Sequence, residues 1–305
     1  MKVMQFYFTP SYKCDNDCIM CGVQKRKRLT AAHFSFDECK SLIDKMCLTS
    51  NDILEFSGGE PTIYKDFVEL IKYAKGQYNP VIIVLSNGKR LGNRSFFSSV
   101  HDIGIDRFII PVFSTMPHLH DSTTQLIGSF DQTRQGLLNL EHSDIPYSIK
   151  FIAMKHNYKD MLNVYKMKLE IYPSANYIIS GFQLMGEAVA NKEIVAVRHS
   201  MVAPYIEETI DLALDKDDFV PIFMFPMCLL DPWYWQYYGV GVFQEEVVAP
   251  DQTDVQLNSK LNYEEKPEKC NKCILSKRCT WAWKNYLAEF GDDEINPINY
   301  FAENK

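Results

Sequence analysis

Cys14, Cys18 and Cys21 stand at C-x3-C-x2-C in one short loop that also carries Lys13, Asp15, Asn16 and Asp17. Three thiolates this close together can hold three irons of a cubane cluster and leave the fourth iron open to an exogenous ligand. Zinc is the other metal that thiolates favour, but a structural zinc site takes four protein ligands, and no fourth Cys or His lies nearby in sequence. A second group, Cys270, Cys273 and Cys279, falls at C-x2-C-x5-C, with Cys228 upstream in Phe225-Pro226-Met227-Cys228-Leu229. These four thiolates suffice for a fully ligated 4Fe–4S cluster or a structural zinc, and ligand count does not separate the two. A disulfide framework belongs to short secreted chains, so clustering among the nine cysteines of a 305-residue chain points to metal.

The elements that position these loops follow from periodicity. Six apolar, β-rich segments recur at Val3 to Phe8, Ile53 to Phe56, Val81 to Leu85, Phe108 to Phe113, Tyr147 to Ala153 and Tyr177 to Phe182. Helical patterns lie between them. Ser35 and Glu38 have capping-box spacing ahead of Leu42, Ile43 and Met46. Phe67, Leu70, Ile71 and Ala74 form an apolar stripe, and Leu137 and Leu140, then Met161, Val164, Tyr165 and Leu169, mark two more helices. Strands alternating with helices imply a parallel sheet, here an α/β partial (β/α)6 TIM-type barrel over about residues 1–200. Val202 to Ala213 continue a helix, and Pro204, Pro221, Pro226, Pro232, Pro250 and Pro267 then punctuate irregular, aromatic-rich sequence. A small C-terminal domain is therefore expected over residues 201–305.

Directly after the second predicted strand comes Phe56-Ser57-Gly58-Gly59-Glu60-Pro61. Together with the first cysteine loop, this resembles the radical S-adenosylmethionine (SAM) superfamily and its glycine-glycine-glutamate-proline motif. The resemblance implies that Cys14, Cys18 and Cys21 hold a 4Fe–4S cluster whose open iron binds the amino and carboxylate groups of SAM. An electron then cleaves the sulfonium, and a 5'-deoxyadenosyl radical removes a substrate hydrogen. Gly58 and Gly59 would let a ligand touch the backbone, and Glu60 would accept a charge-assisted hydrogen bond from an ammonium. Asn87, in Leu85-Ser86-Asn87-Gly88, and Ser114, after Phe113, are similar to family features at strand ends and are expected to contact SAM. Where the family commonly has an aromatic residue before its third cysteine, this chain has Met20. Cys228, Cys270, Cys273 and Cys279 resemble the shortened auxiliary-cluster domain of the SPASM/twitch kind, which implies one further 4Fe–4S cluster.

The substrate is less defined. Peptide maturation, by crosslinking, dehydrogenation or epimerisation of a ribosomally made precursor, follows by analogy with relatives having such a second domain, although no leader-gripping domain precedes the first strand. The alternatives are a dehydrogenase or cyclase acting on a small molecule such as a sugar or nucleotide intermediate, and a non-catalytic iron–sulfur or zinc protein. Thirty-two Lys and Arg against 39 Asp and Glu give a net charge of −7, which argues against a nucleic-acid partner. No apolar run is long enough for a membrane span and the start is no signal peptide, so a cytoplasmic protein is expected. Lys25-Arg26-Lys27-Arg28 reads as a solvated run or a dock for an acidic electron donor such as flavodoxin or ferredoxin. Cys39 and Cys47 read as buried thiols or hydrogen-atom donors, Glu187 as a general base or substrate contact, and the run from Trp233 to Tyr238 as packing.

Overall fold

The computed structural model of the protein describes residues 3–30, 33–239, 244–249, 256–257, 264–280 and 282–299. Its main sheet contains β1 (Met4–Phe8), β2 (Ile53–Phe56), β3 (Val81–Leu85), β4 (Arg107–Pro111), β5 (Tyr147–Ile152), β6 (Asn176–Ser180), β7 (Ile222–Phe223), β8 (Gln244–Val248) and β9 (Gln256–Leu257). The order is β7-β6-β5-β4-β3-β2-β1-β8-β9. Every neighbouring pair is parallel except β8 with β9. The sheet curls into a partial barrel, and the six sequence-predicted strands are β1 to β6.

Between the strands lie α1 (Lys25–Thr30), α2 (Phe36–Lys45), α3 (Phe67–Gln77), α4 (Arg94–Val100), α5 (Pro117–Thr124), α6 (Ser129–Glu141) and α7 (Met161–Ile171). Beyond β6 follow α8 (Glu187–Ala190), α9 (Lys192–Val195), α10 (His199–Leu214) and α11 (Lys284–Phe290). A two-residue pair, β10 (Glu264–Glu265) with β11 (Ala282–Trp283), precedes α11. The predicted capping box opens α2: the Ser35 N–H donates to the Glu38 carboxylate at 2.7 Å, and the Glu38 N–H donates to Ser35 Oγ at 3.3 Å. Pro204, read from sequence as a break, lies inside α10. No described helix is long and apolar enough to cross a membrane.

Strand alternation sorts the side chains onto two faces. Phe6, Phe8, Leu54, Phe56, Ile82, Val84, Phe108, Ile110, Ile149, Phe151, Tyr177 and Ile179 are buried with helix residues such as Ile43, Leu70, Leu140, Val164 and Ile206 in one continuous core. Each such side chain contributes roughly 1.5–3 kcal/mol by leaving water. The opposite, inner face carries Gln5, Tyr7, Glu55, Ile83, Leu85, Ser148, Lys150 and Ile178, in register across the sheet.

The later part of the chain is not separate from this frame, because β7 extends one edge of the six-strand array and β8 the other. Neither was expected, since β7 has two residues and Gln244-Glu245-Glu246 lacks an apolar alternation. The segment after α11 docks on the start of α10, where Arg198 offers no side-chain cap. There the Glu294 carboxylate accepts from the backbone N–H groups of His199 and Ser200, each at 3.2 Å. The negative charge satisfies helix-terminal donors.

Candidate active site

The loop after β1 is held from several sides. Toward β2, the N–H of Gly59 donates to Ser11 O at 3.1 Å and that of Glu60 to Lys13 O at 2.8 Å. Toward α5, the N–H groups of Asp17 and Ile19 donate to Thr124 O and Thr123 O, each at 3.0 Å. From beyond β6, the Glu187 N–H reaches Cys21 O at 2.8 Å and Asn191 Nδ2 reaches Ile19 O at 3.0 Å. From the end of β3, Asn87 Nδ2 donates to Asp15 Oδ1 at 2.7 Å, and Lys89 Nζ lies 3.1 Å from Asp15 Oδ2. Three cysteines on a flexible loop would lose much conformational entropy on converging, and these ties fix the loop in advance.

Gly58 and Gly59 serve that approach directly. Gly58 has φ +100°, and a Cβ on it would stand 2.1 Å from Thr9 Cγ2. A Cβ on Gly59 would stand 2.1 Å from the Lys13 carbonyl oxygen, one residue before Cys14. The glycines thus admit the chain's own cysteine loop. Gly59→Ala is expected to displace Cys14, lowering iron bound at this loop and cutting 5'-deoxyadenosine release on the order of a hundredfold. Gly76→Ala, within α3 where an added Cβ meets nothing within 4 Å, is the control and leaves both unchanged. Iron assay and chromatography of the nucleoside measure the difference.

The other sequence-predicted residues are placed as follows. Glu60 is 3% exposed. Its Oε1 accepts from the Thr62 N–H at 3.1 Å, Thr62 Oγ1 at 2.6 Å and Ser86 Oγ at 2.8 Å, and its Oε2 accepts from the Asn87 N–H at 2.7 Å. Burial pushes the Glu60 carboxyl up, and those four donors oppose the shift. Any ammonium would share Oε2, the oxygen with the single contact here. Asn87 is half-buried and donates to Asp15, whereas Ser114 is 0% exposed and its hydroxyl donates to Asp160 at 2.6 Å. Ser114 therefore holds the turn after β4 and presents no surface to a ligand. Glu187 spends its carboxylate on the Lys25 backbone N–H, so it tethers the loop where sequence suggested a base. Cys39 is fully buried behind the sheet, which removes it as a hydrogen-atom donor, and Cys47 is exposed.

Cys228, Cys270, Cys273 and Cys279 line one small cavity with Pro226, Leu275, Ser276, Ile295 and Pro297. Burial pushes the Cys228 thiol up to about 11, and the other three cysteines act on it electrostatically. Among the described residues, no three Cys, His, Asp or Glu side chains close on a single ion.

Residues 8–167 match the family described as the radical SAM superfamily. The chain belongs to the radical SAM superfamily. It is 24% identical over 165 residues to an AdoMet-dependent heme synthase of Methanosarcina barkeri, covering 54% of this chain and 47% of that protein. It is also 23% identical over 154 residues to a probable GTP 3',8-cyclase of Methanococcus maripaludis, covering 50% and 51%. The chain thus spans about half the length of the curated relatives it matches. In fold, Streptococcus suis SuiB bound to its precursor peptide SuiA superposes with a TM-score of 0.67 at 13% identity, over 94% of this chain and 73% of that one.

A radical SAM protein implies a 4Fe–4S cluster and SAM, and this loop has the donors for the cluster. Burial pushes the Cys14 thiol up to about 12 and raises Cys18 and Cys21 as well. Three such thiols deprotonate together only against a cation, as metal ligands do. Beside the loop, Ile19 and Met20 pack on Phe113, Met154, Phe182 and Leu184 from the C-terminal ends of β4, β5 and β6. Several positioning residues were not singled out by sequence: Asp15 and Lys89, which pair across 74 positions, and Arg28, buried although it ends an otherwise exposed basic run. Lys150 was missed too. It lies on the inner face in register with Pro111 and Ile178, its ammonium makes no hydrogen bond with a described residue, and its pKa is lowered by burial against the pull of Glu55.

Proposed function

We propose that Cys14, Cys18 and Cys21 hold the radical SAM cluster, that Cys228, Cys270, Cys273 and Cys279 hold a second 4Fe–4S cluster, and that the reaction matures a ribosomally made peptide. The observation that carries the first assignment is the three-cysteine loop tied to the Gly58-Gly59-Glu60 turn, the end of β3, α5 and the segment after β6. When bound, cluster and SAM supply one-electron sulfonium cleavage and a 5'-deoxyadenosyl radical that abstracts hydrogen. The protein's part is placement and dryness: the Gly58-Gly59-Glu60 turn fixes the loop, and the apolar wall of Phe113, Met154 and Phe182 excludes water beside it. A second cluster with four protein thiolates has no free iron position, so it suits electron transfer or structure. A flavodoxin or ferredoxin would supply the reducing electron, docking on the exposed Lys25, Arg26 and Lys27.

The peptide reading is supported by the part of the chain beyond the barrel. There the fold continues to parallel a peptide-bound protein, and Phe219 and Trp233, before and after Cys228 along the chain, stay 60% and 59% exposed. A small anionic substrate held in the half-barrel is the second reading, favoured by Lys150 on the inner face. Co-expression with a short reading frame beside the gene, then mass spectrometry of the peptide, separates them. A loss of two hydrogens, or uptake of one deuterium in D2O, is expected. An unmodified peptide alongside active SAM cleavage sinks the peptide reading.

A further inference from the structure

Arg28 is the one member of the basic run from Lys25 to Arg28 that turns inward, its side chain 6% exposed. Its Nη1 donates to Asn16 O at 3.0 Å and its Nη2 to Asp17 Oδ1 at 2.7 Å, both partners lying between Cys14 and Cys18. Asn16 in turn directs its backbone N–H at Cys14 Sγ, at 3.4 Å. Arg28 Nε is buried with no partner among the described residues. An orphaned N–H on a buried cation costs about 1–3 kcal/mol unless something accepts from it. The guanidinium also acts electrostatically on Cys18 and Cys21. Its counter-charge, Asp17, is 39% exposed, so water screens the carboxylate more than it screens the cation on the loop side.

We propose that Arg28 is the tuning residue of the first cluster, donating its Nε–H to a cluster sulfur and holding the reduced state down in energy. This rests on the reading that Cys14, Cys18 and Cys21 hold that cluster. Hydrogen bonds to sulfur and nearby positive charge both favour the added electron, which raises the reduction potential. Arginine suits the task because its planar fork binds Asn16 O and Asp17 while a third N–H remains, which a lysine cannot reproduce.

The test uses the full chain, reconstituted and reduced anaerobically, with the EPR signal that shifts on adding SAM taken as the first cluster. Protein labelled with 15N-arginine is expected to show a guanidinium nitrogen coupled to that signal when SAM is absent. Arg28→Lys, which keeps the charge but not the hydrogen bond, is expected to lose the coupling and to shift the potential part of the way downward, and Arg28→Gln to shift it further. Should either variant fail to load iron, the labelled wild type alone decides. No nitrogen coupling there, or an unshifted potential in a loaded Arg28→Gln, overturns the proposal. If no signal responds to SAM, the ligand assignment has failed instead.

Discussion

Replacing any one of Cys14, Cys18 and Cys21 by Ala is expected to abolish release of 5'-deoxyadenosine from SAM under dithionite and to lower bound iron from about eight to about four per chain. The loss is all-or-none because two thiolates cannot hold three irons, and because the neighbouring sequence offers no substitute: Asp15 is spent on Asn87 and Lys89, and Asp17 on Arg28. The iron that remains should belong to the second site, and adding Cys270→Ala should remove it. SAM cleavage surviving in a Cys18→Ala protein would falsify the assignment of that loop.

The second large effect concerns stability. Glu60→Ala leaves four donors, from Thr62, Ser86 and Asn87, around an empty space that is 3% exposed in the native protein. Breaking such a buried carboxylate network costs on the order of 3–5 kcal/mol. Denaturant unfolding of the reduced, iron-free chain should show a clearly lower midpoint, and iron loading should fall because the ends of β2 and β3 part beneath the cysteine loop. Glu60→Gln keeps an acceptor for Thr62 and Ser86 but turns an NH2 toward the Asn87 N–H, and should fall between the two. A Glu60→Ala midpoint equal to wild type would show that the network is dispensable.

What could be read from sequence was what is local. β1 to β6 follow from short apolar runs, α2 from its capping box, and the cysteine loop from spacing within eight consecutive residues, Cys14 to Cys21. What could not be read depends on partners far along the chain. Lys89 and Asn87 look like turn residues until β3 brings them over Asp15, and Glu187 looks like a base until its carboxylate meets the Lys25 N–H. Arg28 was hidden by its neighbours, since nothing in Lys-Arg-Lys-Arg says which side chain will be enclosed. Ser114 misled for the opposite reason: a polar residue at a strand end looks available, and Asp160, supplied from just before α7, claims it.

The pairing of β1 with β8 has a bearing on how the molecule is made. Met4 to Phe8 are synthesised long before one of their two flanking strands, Gln244 to Val248. Until then β1 is an open edge of strongly apolar sequence, the kind of edge that recruits strands from other molecules. Its closure joins residues very distant along the chain, which makes it an intrinsically slow event in folding. The Thr9 N–H, at the root of the cysteine loop, gains its bond to Val248 O at that same late moment. The loop's base is thus completed last, so nascent chains stalled before β8 carry the cysteines on an unfinished foundation.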